Sequence, residues 1–265
     1  MNGTAGLASV VLGSMMKDLR TSKDPKVTQA MVADQVGVTT SAYFKWESGL
    51  RRITPEHLER ICESLNCKDW RRRSMMSLLS GTMSDFRLGQ QPRISSEDVE
   101  FIESLSFPAL YRSLPDFDII YSNQACISAF PMFTPAPLNE AHRANLIERM
   151  ITDPRSPRVF VNWSQVAHRM VYLKRLWSSG TSAAHHERIM RACRSEAAFE
   201  YMWRTIPGPD VHGNNRIAVR DPVTGEVRNR TVRCLISNSR TGSADIIAAP
   251  TVRSTEALEP SSIGS

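Results

Sequence analysis

Long hydrophobic runs are missing from this sequence of 265 residues. Because no stretch approaches the roughly 18 consecutive apolar residues that a membrane-spanning helix needs, we expect no such helix. The first residues have an apolar middle but no basic beginning and no convincing cleavage site, so we expect mature protein rather than a signal peptide. Internal repeats and low-complexity blocks are missing too. These absences favour an ordinary globular chain.

Cysteine is scarce, and its pattern excludes a disulfide framework. The five residues are odd in number and scattered along the chain: Cys62, Cys67, Cys126, Cys193 and Cys234. A reducing compartment fits this distribution better than an oxidising one, so we expect a cytoplasmic protein.

Familiar catalytic patterns are missing as well. There is no Gly-x-Ser-x-Gly elbow, no His-Glu-x-x-His and no Gly-x-Gly-x-x-Gly, so we predict no catalytic residues and no cofactor. The nearest metal candidate is the segment HHERIMRAC at 185–193, with His185, His186, Glu187 and Cys193. Since His185 and Glu187 would not share a helical face, we predict no metal site. An enzyme of an unrecognised class stays open as an alternative.

The charge is positive and uneven. The net charge is +6, and residues 1–80 hold 12 Lys and Arg against 8 Asp and Glu, whereas the remainder holds 21 against 19. Hydrophobic residues at 41% are enough for a sizeable core. The denser positive charge of the first third suits a unit that contacts phosphates, although many solvated surfaces carry as much.

Short helices are predicted throughout residues 8–80. The first carries the apolar stripe Leu12, Met15, Met16 and Leu19, and Thr28, Thr39 and Thr54 are predicted to cap three later ones. Pro55 suits the first position of the fourth helix, and Leu58, Ile61 and Leu65 form its buried stripe. A fifth helix is predicted to end at Gly81.

The segment GVTTSAYFKWESG at 37–49 resembles the second half of a helix-turn-helix. Tyr43 and Trp46 lie three residues apart and are predicted to face inward with Val38, against Met31 and Val32 or Val36. Thr40, Ser41, Phe44 and Lys45 then face outward, with the two hydroxyls at the end that meets base edges in a recognition helix. An ordinary helical bundle with capping hydroxyls is the simpler alternative.

Residues 81–95 carry Gly, Gln and Pro without periodicity and are predicted to form a linker. Beyond it the patterns predict a helix at 96–106, a hairpin around Pro115–Asp118, and helices at 124–130, 140–152, 163–178, 185–194 and 196–205. Three strands follow, with turns at Pro222–Gly225 and Arg240–Ala244. We therefore predict an α+β fold in which helices pack on one face of one antiparallel sheet. The tail 251–265 is predicted to be loose.

The segment from Val27 to Leu65 resembles the Cro/repressor type of helix-turn-helix, the XRE family. The Thr-Gln opening falls on Thr28 and Gln29, the small residue of the second helix on Ala33, and the Gly-Val-Ser turn on 37–39, with Thr for Ser. Trp46, Glu47 and Gly49 match the aliphatic-Glu-x-Gly ending of the family motif, with Trp in place of Ile or Leu. The resemblance covers about residues 8–80 and implies binding to a double-stranded DNA operator. It implies the DNA-binding residues Gln29, Thr39, Thr40, Ser41, Phe44, Lys45, Arg51 and Arg52.

Individual roles follow from the same comparison. Gln29 would contact phosphate, Thr40 and Ser41 bases, and Lys45 either one, while Arg51 and Arg52 supply charge near the backbone. Phe44 is unusual on such a face. It would touch a thymine methyl group or pack against the next helix.

Residues 96–250 resemble the MmyB-like ligand-binding domain of actinobacterial regulators, which has a PAS-like fold. Asn123 follows a strand as in that family, Trp163 opens a helix in NWSQVAHRMVYLKRL, and RDPVTGEV fits a late hairpin. The resemblance implies a pocket for a hydrophobic molecule, with a fatty acid as the family's ligand. The segment PMFTPAPLNEAH at 131–142 departs from the pattern and leaves the local shape of the pocket open.

Candidate ligand-binding residues are Asn123, Trp163, Met170, Phe199 and Trp203. Each has an ordinary structural alternative, because large apolar side chains fill cores and Asn123 suits a helix cap. Arg169 and Arg175 would suit a carboxylate head group, although solvent exposure is more common for arginine.

The combined hypothesis is a cytoplasmic transcription regulator with a helix-turn-helix domain at 1–80, a linker at 81–95, and a ligand-binding and dimerisation domain at 96–250. We expect a homodimer, and RNA polymerase is a further candidate partner. A C-terminal domain that serves only for dimerisation, without an effector, is the main alternative.

Overall fold

The computed structural model describes residues 7–80, 93–137, 140–208, 211, 215–236 and 244–251. Within these ranges no helix has both the length and the apolar character that crossing a bilayer requires. Most of the predicted linker and nearly all of the predicted tail lie outside the described residues, as does most of the Arg240–Ala244 turn. The predicted domain boundaries therefore stay predictions.

The N-terminal unit is a succession of short helices. Its elements are α1 (Leu7–Thr21), α2 (Gln29–Val36), α3 (Thr40–Glu47), α4 (Pro55–Ser64) and α5 (Asp69–Ser80). The hydroxyls of Thr28, Thr39 and Thr54 each accept a hydrogen bond from the backbone N–H three residues later, which caps α2, α3 and α4. The predicted caps are thus confirmed. The predicted apolar stripes of α1 and α4 are buried.

The C-terminal unit mixes helices and strands. Its helices are α6 (Ser96–Glu103), α7 (Gln124–Ala129), α8 (Leu146–Thr152), α9 (Ser156–Val159), α10 (Trp163–Trp177), α11 (Ala183–Cys193) and α12 (Ala197–Arg204). Its strands are β1 (Ala109–Ser113), β2 (Ile119–Ser122), β3 (Arg216–Arg220), β4 (Val227–Thr231), β5 (Arg233–Ile236) and β6 (Ala244–Ala248).

The strands form two sheets. Antiparallel pairing gives the order β2-β1-β6-β5 in the larger sheet, and β3 pairs only with β4 in a separate hairpin. The predicted hairpin around Pro115–Asp118 is confirmed as β1–β2, with Tyr111 opposite Tyr121. The predicted turn at Pro222–Gly225 joins β3 to β4, and Gly225 there has φ +74°, a left-handed conformation that glycine tolerates.

Three details of the sequence prediction were wrong. The run after residue 215 holds four strands in two sheets rather than three in one, because the chain changes partner near Val232: the N–H of Thr231 donates to Pro250, and that of Val232 donates to Asn215. Helix α8 begins at Leu146 rather than near 140, because Asn145 caps it there.

The third error concerns the layers of the fold. Helix α6 covers one face of the larger sheet, where Ile102 packs with Ala109, Tyr111, Ile246 and Ala248. The alternate residues of β1 face the main core, which Leu110 joins together with α7, α8 and α10. Helices therefore lie on both faces of the sheet. The larger of the two cores continues from the C-terminal unit into α1 and α5.

Candidate DNA-binding surface and ligand cavity

The turn between α2 and α3 is built by local chemistry. Gly37 ends α2 with φ +75°, and its N–H donates to Ala33 and Asp34. Two residues later the hydroxyl of Thr39 accepts from the N–H of Ala42 at 3.1 Å and starts α3. The short connection places the two helices as a helix-turn-helix pair.

The inner face of α3 is anchored as the sequence predicted. Tyr43 is fully buried and Trp46 is 5% exposed, and Val38 packs against the same core. Val32 and Val36 are fully buried. Met31 is exposed, so the prediction that it packs beneath α3 was wrong. The periodicity of the segment therefore identified the buried face of α3.

Glu47 at the end of α3 ties three helices together. Its carboxylate accepts two hydrogen bonds from Arg20 of α1, at 2.8 and 2.7 Å, and one from Gln29 of α2 at 3.0 Å. Burial alone would raise the pKa of Glu47, but the hydrogen bonds from Arg20 and Gln29 outweigh it and hold this pKa below its usual value. Burial and the negative charge of Glu47 raise the pKa of Tyr43, which stays neutral.

Two glycines let α1 pack directly on the end of α3. A Cβ on Gly13 would lie 2.5 Å from the carbonyl oxygen of Glu47, and one on Gly49 would lie 2.6 Å from the Cα of Val10. Gly49 also has φ +69°. Helix α1 is therefore held by both backbone contact and the Arg20–Glu47 ion pair. Sequence reasoning missed Gly13, whose signal was a glycine inside a helical stripe.

The outer face of α3 is exposed among the residues that the structure describes. Thr40, Ser41 and Lys45 are exposed, and Phe44 is 47% exposed. About half of the Phe44 surface is therefore open to solvent, and a contact with a thymine methyl stays a prediction. Exposed hydroxyls at the start of α3 with a cation one turn later form a surface that suits a major groove.

The remaining predicted DNA-binding residues have partners or positions of their own. The amide of Gln29 is engaged by Glu47, and the hydroxyl of Thr39 caps α3. Arg51 is exposed, whereas Arg52 donates to the carbonyl of Leu79 at 3.2 Å. Contacts of these residues with DNA stay predictions.

A cavity of about 770 Å³ lies inside the C-terminal unit and reaches the N-terminal one. Strand β1 lines it with Leu110 and Arg112, and α10 contributes a series of residues from Val166 to Trp177. Phe130, Phe133 and Phe160 form an aromatic group in its wall, where the rings of Phe130 and Phe160 stack with centroids 5.2 Å apart. The cavity is thus mainly apolar and large enough for a small molecule.

Two buried guanidinium groups interrupt this apolar lining. Arg112 and Arg169 are each 9% exposed. Arg112 lies over the ring of Phe117, with its Cζ 4.5 Å from the centroid. Arg169 makes no hydrogen bond and no ion pair within the part of the chain that the structure describes. Burial lowers the pKa of Arg169, and the Cys234 thiol acts in the opposite direction.

Sequence reasoning had named Arg169 only as a weak candidate and had missed Arg112. The signal was present in both cases, because each arginine interrupts an apolar face. Arg112 shares a face of β1 with Leu110, and Arg169 follows Val166 by one helical turn. An arginine on an otherwise apolar face therefore indicates a candidate ligand-binding residue.

The predicted ligand-binding residues are dispersed. Met170 lines the cavity, but Asn123, Trp163, Phe199 and Trp203 are not among its lining residues. The amide of Asn123 is engaged within the chain: its oxygen accepts from Ala109 and Cys126, and its nitrogen donates to the carbonyls of Ile102, Leu105 and Phe107. Trp163 donates to the carbonyl of Met150 at 2.9 Å. Phe199 and Trp203 pack on each other in the core.

One group of side chains has the composition of a metal site. Ligand atoms of Asp116, Asp118 and His185 lie within 4.8 Å of one another. The ammonium of the buried Lys174 lies beside them and donates to the backbone oxygen of Asp116. Burial lowers the pKa of Lys174 to about 8, against the pull of the two carboxylates. Lys174 thus feels the charge of both carboxylates, while its hydrogen bonds go to the backbone oxygens of Pro115 and Asp116 and to the hydroxyl of Thr181.

The histidine-rich segment at 185–193 does not converge on one point. His185 faces Asp118 at 3.5 Å, whereas Glu187 lies on the surface near Arg191. His186 packs near Trp203, and Cys193 is fully buried. The structure therefore separates the residues that the sequence placed side by side.

Comparisons with known families agree with both halves of this arrangement. The helix-turn-helix family matches residues 17–69, which include α2, α3 and α4. The family of the MmyB-like transcription regulator ligand binding domain matches residues 103–259, more than half of the chain. No curated protein matches the chain. With an XRE-type helix-turn-helix before a domain that carries a cavity, the chain belongs to the MmyB-like family and is a DNA-binding transcription regulator with a ligand-binding domain.

Proposed function

We propose that the protein is a sequence-specific regulator whose effector is a hydrophobic carboxylate of the fatty-acid class. The observation that carries the effector is Arg169, a buried guanidinium in the wall of an apolar cavity that makes no hydrogen bond or ion pair with the described residues. The operator is read by the exposed end of α3.

The argument for the effector rests on charge. Burying a cation away from water costs free energy, and an anionic partner offsets that cost by forming charge-assisted hydrogen bonds. The rest of the lining offers phenylalanine, leucine and methionine side chains, which favour an aliphatic body. A molecule with a carboxylate at one end and a hydrocarbon chain at the other satisfies both demands.

Binding of dodecanoate to the full chain tests this effector class. We expect Arg169→Gln to weaken the binding of dodecanoate by about 10- to 100-fold, as expected for loss of a hydrogen-bonded charge pair. Dodecanol lacks the charge and should bind both proteins alike. Calorimetric titration measures both affinities.

Arg158→Gln is the matched control, because Arg158 is exposed and lies outside the cavity lining. Equal affinity of the Arg169→Gln protein and the unaltered chain for dodecanoate would contradict the assignment of the carboxylate to Arg169. No binding of dodecanoate by the unaltered chain would overturn the effector class itself.

The argument for operator reading rests on the free face of α3. Thr40 and Ser41 are exposed at its first turn, and their helix is fixed from beneath by Tyr43 and Trp46. Hydroxyl groups held in this way make base contacts with little further loss of conformational entropy. Lys45 and Arg51 add contacts with phosphates that do not depend on sequence.

We expect Ser41→Ala or Thr40→Ala to weaken binding to the operator by about 1–3 kcal/mol and to affect random DNA far less. Fluorescence anisotropy with both DNAs at one salt concentration measures the difference. Ser195→Ala, an exposed change in the C-terminal unit, is the control. An equal loss on both DNAs would remove these hydroxyls from base reading.

We further propose that the protein acts as a homodimer and that RNA polymerase is a partner. A dimer would place two α3 helices at half-sites about 34 Å apart, or a multiple of that distance. The competing function, a C-terminal unit that only dimerises, is disfavoured by the cavity, since a dimerisation module needs no apolar cavity of this size.

A further inference from the structure

Two helices of the DNA-binding unit, α1 and α5, reach the effector cavity. Met15 of α1 and Leu78 of α5 are among the lining residues, opposite residues of α10 such as Met170 and Leu173. Both residues lie outside the segment matched by the ligand-binding family, which begins at residue 103. The cavity is therefore closed in part by the helix-turn-helix unit.

A partly buried ion cluster holds α1 in this position. Asp18, one turn after Met15, accepts hydrogen bonds from Arg71 of α5 at 2.8 Å and from Arg175 of α10 at 2.9 Å. The hydroxyl of Tyr172, also in α10, donates to the same carboxylate at 3.1 Å. One carboxylate of the DNA-binding unit thus binds groups from both units.

The two arginines extend the cluster on either side. Arg71 also donates to the backbone carbonyl of Met15 at 2.9 Å, which fixes the turn that carries the lining residue. Arg175 also donates to the carbonyl of Trp203 at 2.6 Å, which connects the cluster to α12. Removal of Asp18 would leave two buried or half-buried cations without their anion, a costly arrangement.

The same helix supports the recognition helix. Gly13, two residues before Met15, packs on the carbonyl oxygens of Trp46 and Glu47 at the end of α3. A shift of α1 relative to α10 therefore moves the support of α3, because backbone packed this closely does not slide without clashes.

We propose that α1 is a shared wall: Met15 contacts the apolar body of the bound effector, and the Asp18 cluster clamps α1 against α10 around it. The inference rests on the proposed function and deepens it, since it assigns part of the effector site to the DNA-binding unit. Effector binding then stabilises one arrangement of the two units, and by linkage the arrangement imposed by the operator changes effector affinity by the same factor.

Paired truncations on the full chain test the wall. Met15 and Met16 are both buried neighbours in α1, but only Met15 is among the lining residues. We expect Met15→Ala to weaken binding of dodecanoate about fivefold, through lost apolar contact, while Met16→Ala stays within twofold of the unaltered chain. Leu78→Ala, at a half-buried lining position, repeats the test with less risk to folding, and its buried neighbour Leu79→Ala is its control.

Asp18→Asn tests the clamp. We expect it to weaken dodecanoate binding several-fold and to reduce the effect of dodecanoate on operator affinity, whereas Asp34→Asn, an exposed change in α2, alters neither. Equal dodecanoate affinities for the Met15, Leu78 and Asp18 variants and the unaltered chain would overturn the wall and leave the proposed effector standing. A chain that binds no dodecanoate at all would overturn both.

Discussion

The cations proposed to bind partners differ in exposure between the two units of this regulator. On the DNA-binding unit Lys45 and Arg51 lie in solvent, where an unpaired cation loses no hydration and is free to meet a phosphate. In the ligand-binding unit Arg169 has lost most of its water and has gained no partner among the described residues. Exposed cations suit a large partner that supplies many charges at once. A buried cation suits a small partner that must be recognised by a single group.

The supporting structures differ in the same sense. Helix α3 is positioned by Glu47 and by backbone contact with α1, so its exposed side chains face outward from a rigid base. The cavity is positioned by the sheet and α10, so its functional atoms face inward. Substitutions in the supports should therefore separate the two activities.

Gly13→Ala should have the largest effect on stability, and it should act on the DNA-binding unit. The added Cβ would lie 2.5 and 2.8 Å from two carbonyl oxygens at the end of α3, so α1 and α3 must separate. We expect a loss of about 3 kcal/mol in the free energy of unfolding, and operator affinity should fall with it. Urea denaturation followed by circular dichroism measures the loss.

Gly208→Ala is its control, since a Cβ there meets nothing within 4 Å. If the Gly13→Ala protein kept full stability and full operator affinity, the rigid-base description of α3 would be wrong.

Asn123→Ala should have the second largest effect on stability, and it should act on the ligand-binding unit. It removes a 1% exposed amide that joins the start of α7 to the end of α6 and to β1. Because buried backbone groups lose their partners, we expect about 2–3 kcal/mol less stability. Folded protein should bind dodecanoate as before, since Asn123 is not among the lining residues.

Asn229→Ala, on the exposed strand β4, should change stability by less than about 0.5 kcal/mol. A stable Asn123→Ala protein that no longer bound dodecanoate would instead restore Asn123 to the ligand site, as the sequence comparison first implied.

Glu47→Gln should have the smallest effect and a pH signature. The pKa of Glu47 is held below its usual value, so its contribution is complete above the unfolded carboxyl pKa of about 4.3 and is lost as pH falls through the lower folded pKa. We expect about 1–2 kcal/mol lower stability at pH 7, with the difference from the unaltered chain shrinking below pH 4.

Urea denaturation at several pH values measures that difference. Glu187→Gln, on an exposed side chain, should show no difference at any pH. A difference for Glu47→Gln that stays constant from pH 7 to pH 3 would show that the ionised form of Glu47 is not what holds α1, α2 and α3 together.

The sequence predicted the α2–turn–α3 face because every signal in it is local. Caps at Thr28 and Thr39, the turn at Gly37 and the inward pair Tyr43 and Trp46 depend on spacings of three or four residues. The layers of the C-terminal unit were harder, because strand β6 pairs with β1 from more than 130 residues away. Register at that distance has no local signature.

By itself, then, the sequence determined the helices, their caps and the outward face of α3, since hydrogen bonds and side-chain spacing within one turn fix them. Only the tertiary structure decided which residues meet in the cavity. It brought Asp18 to Arg175 across 157 positions and left Arg169 inside an apolar wall. The physical reason is that contacts between distant segments depend on how whole helices pack, and the same short pattern, apolar residues around one arginine, serves a solvated surface or a ligand site.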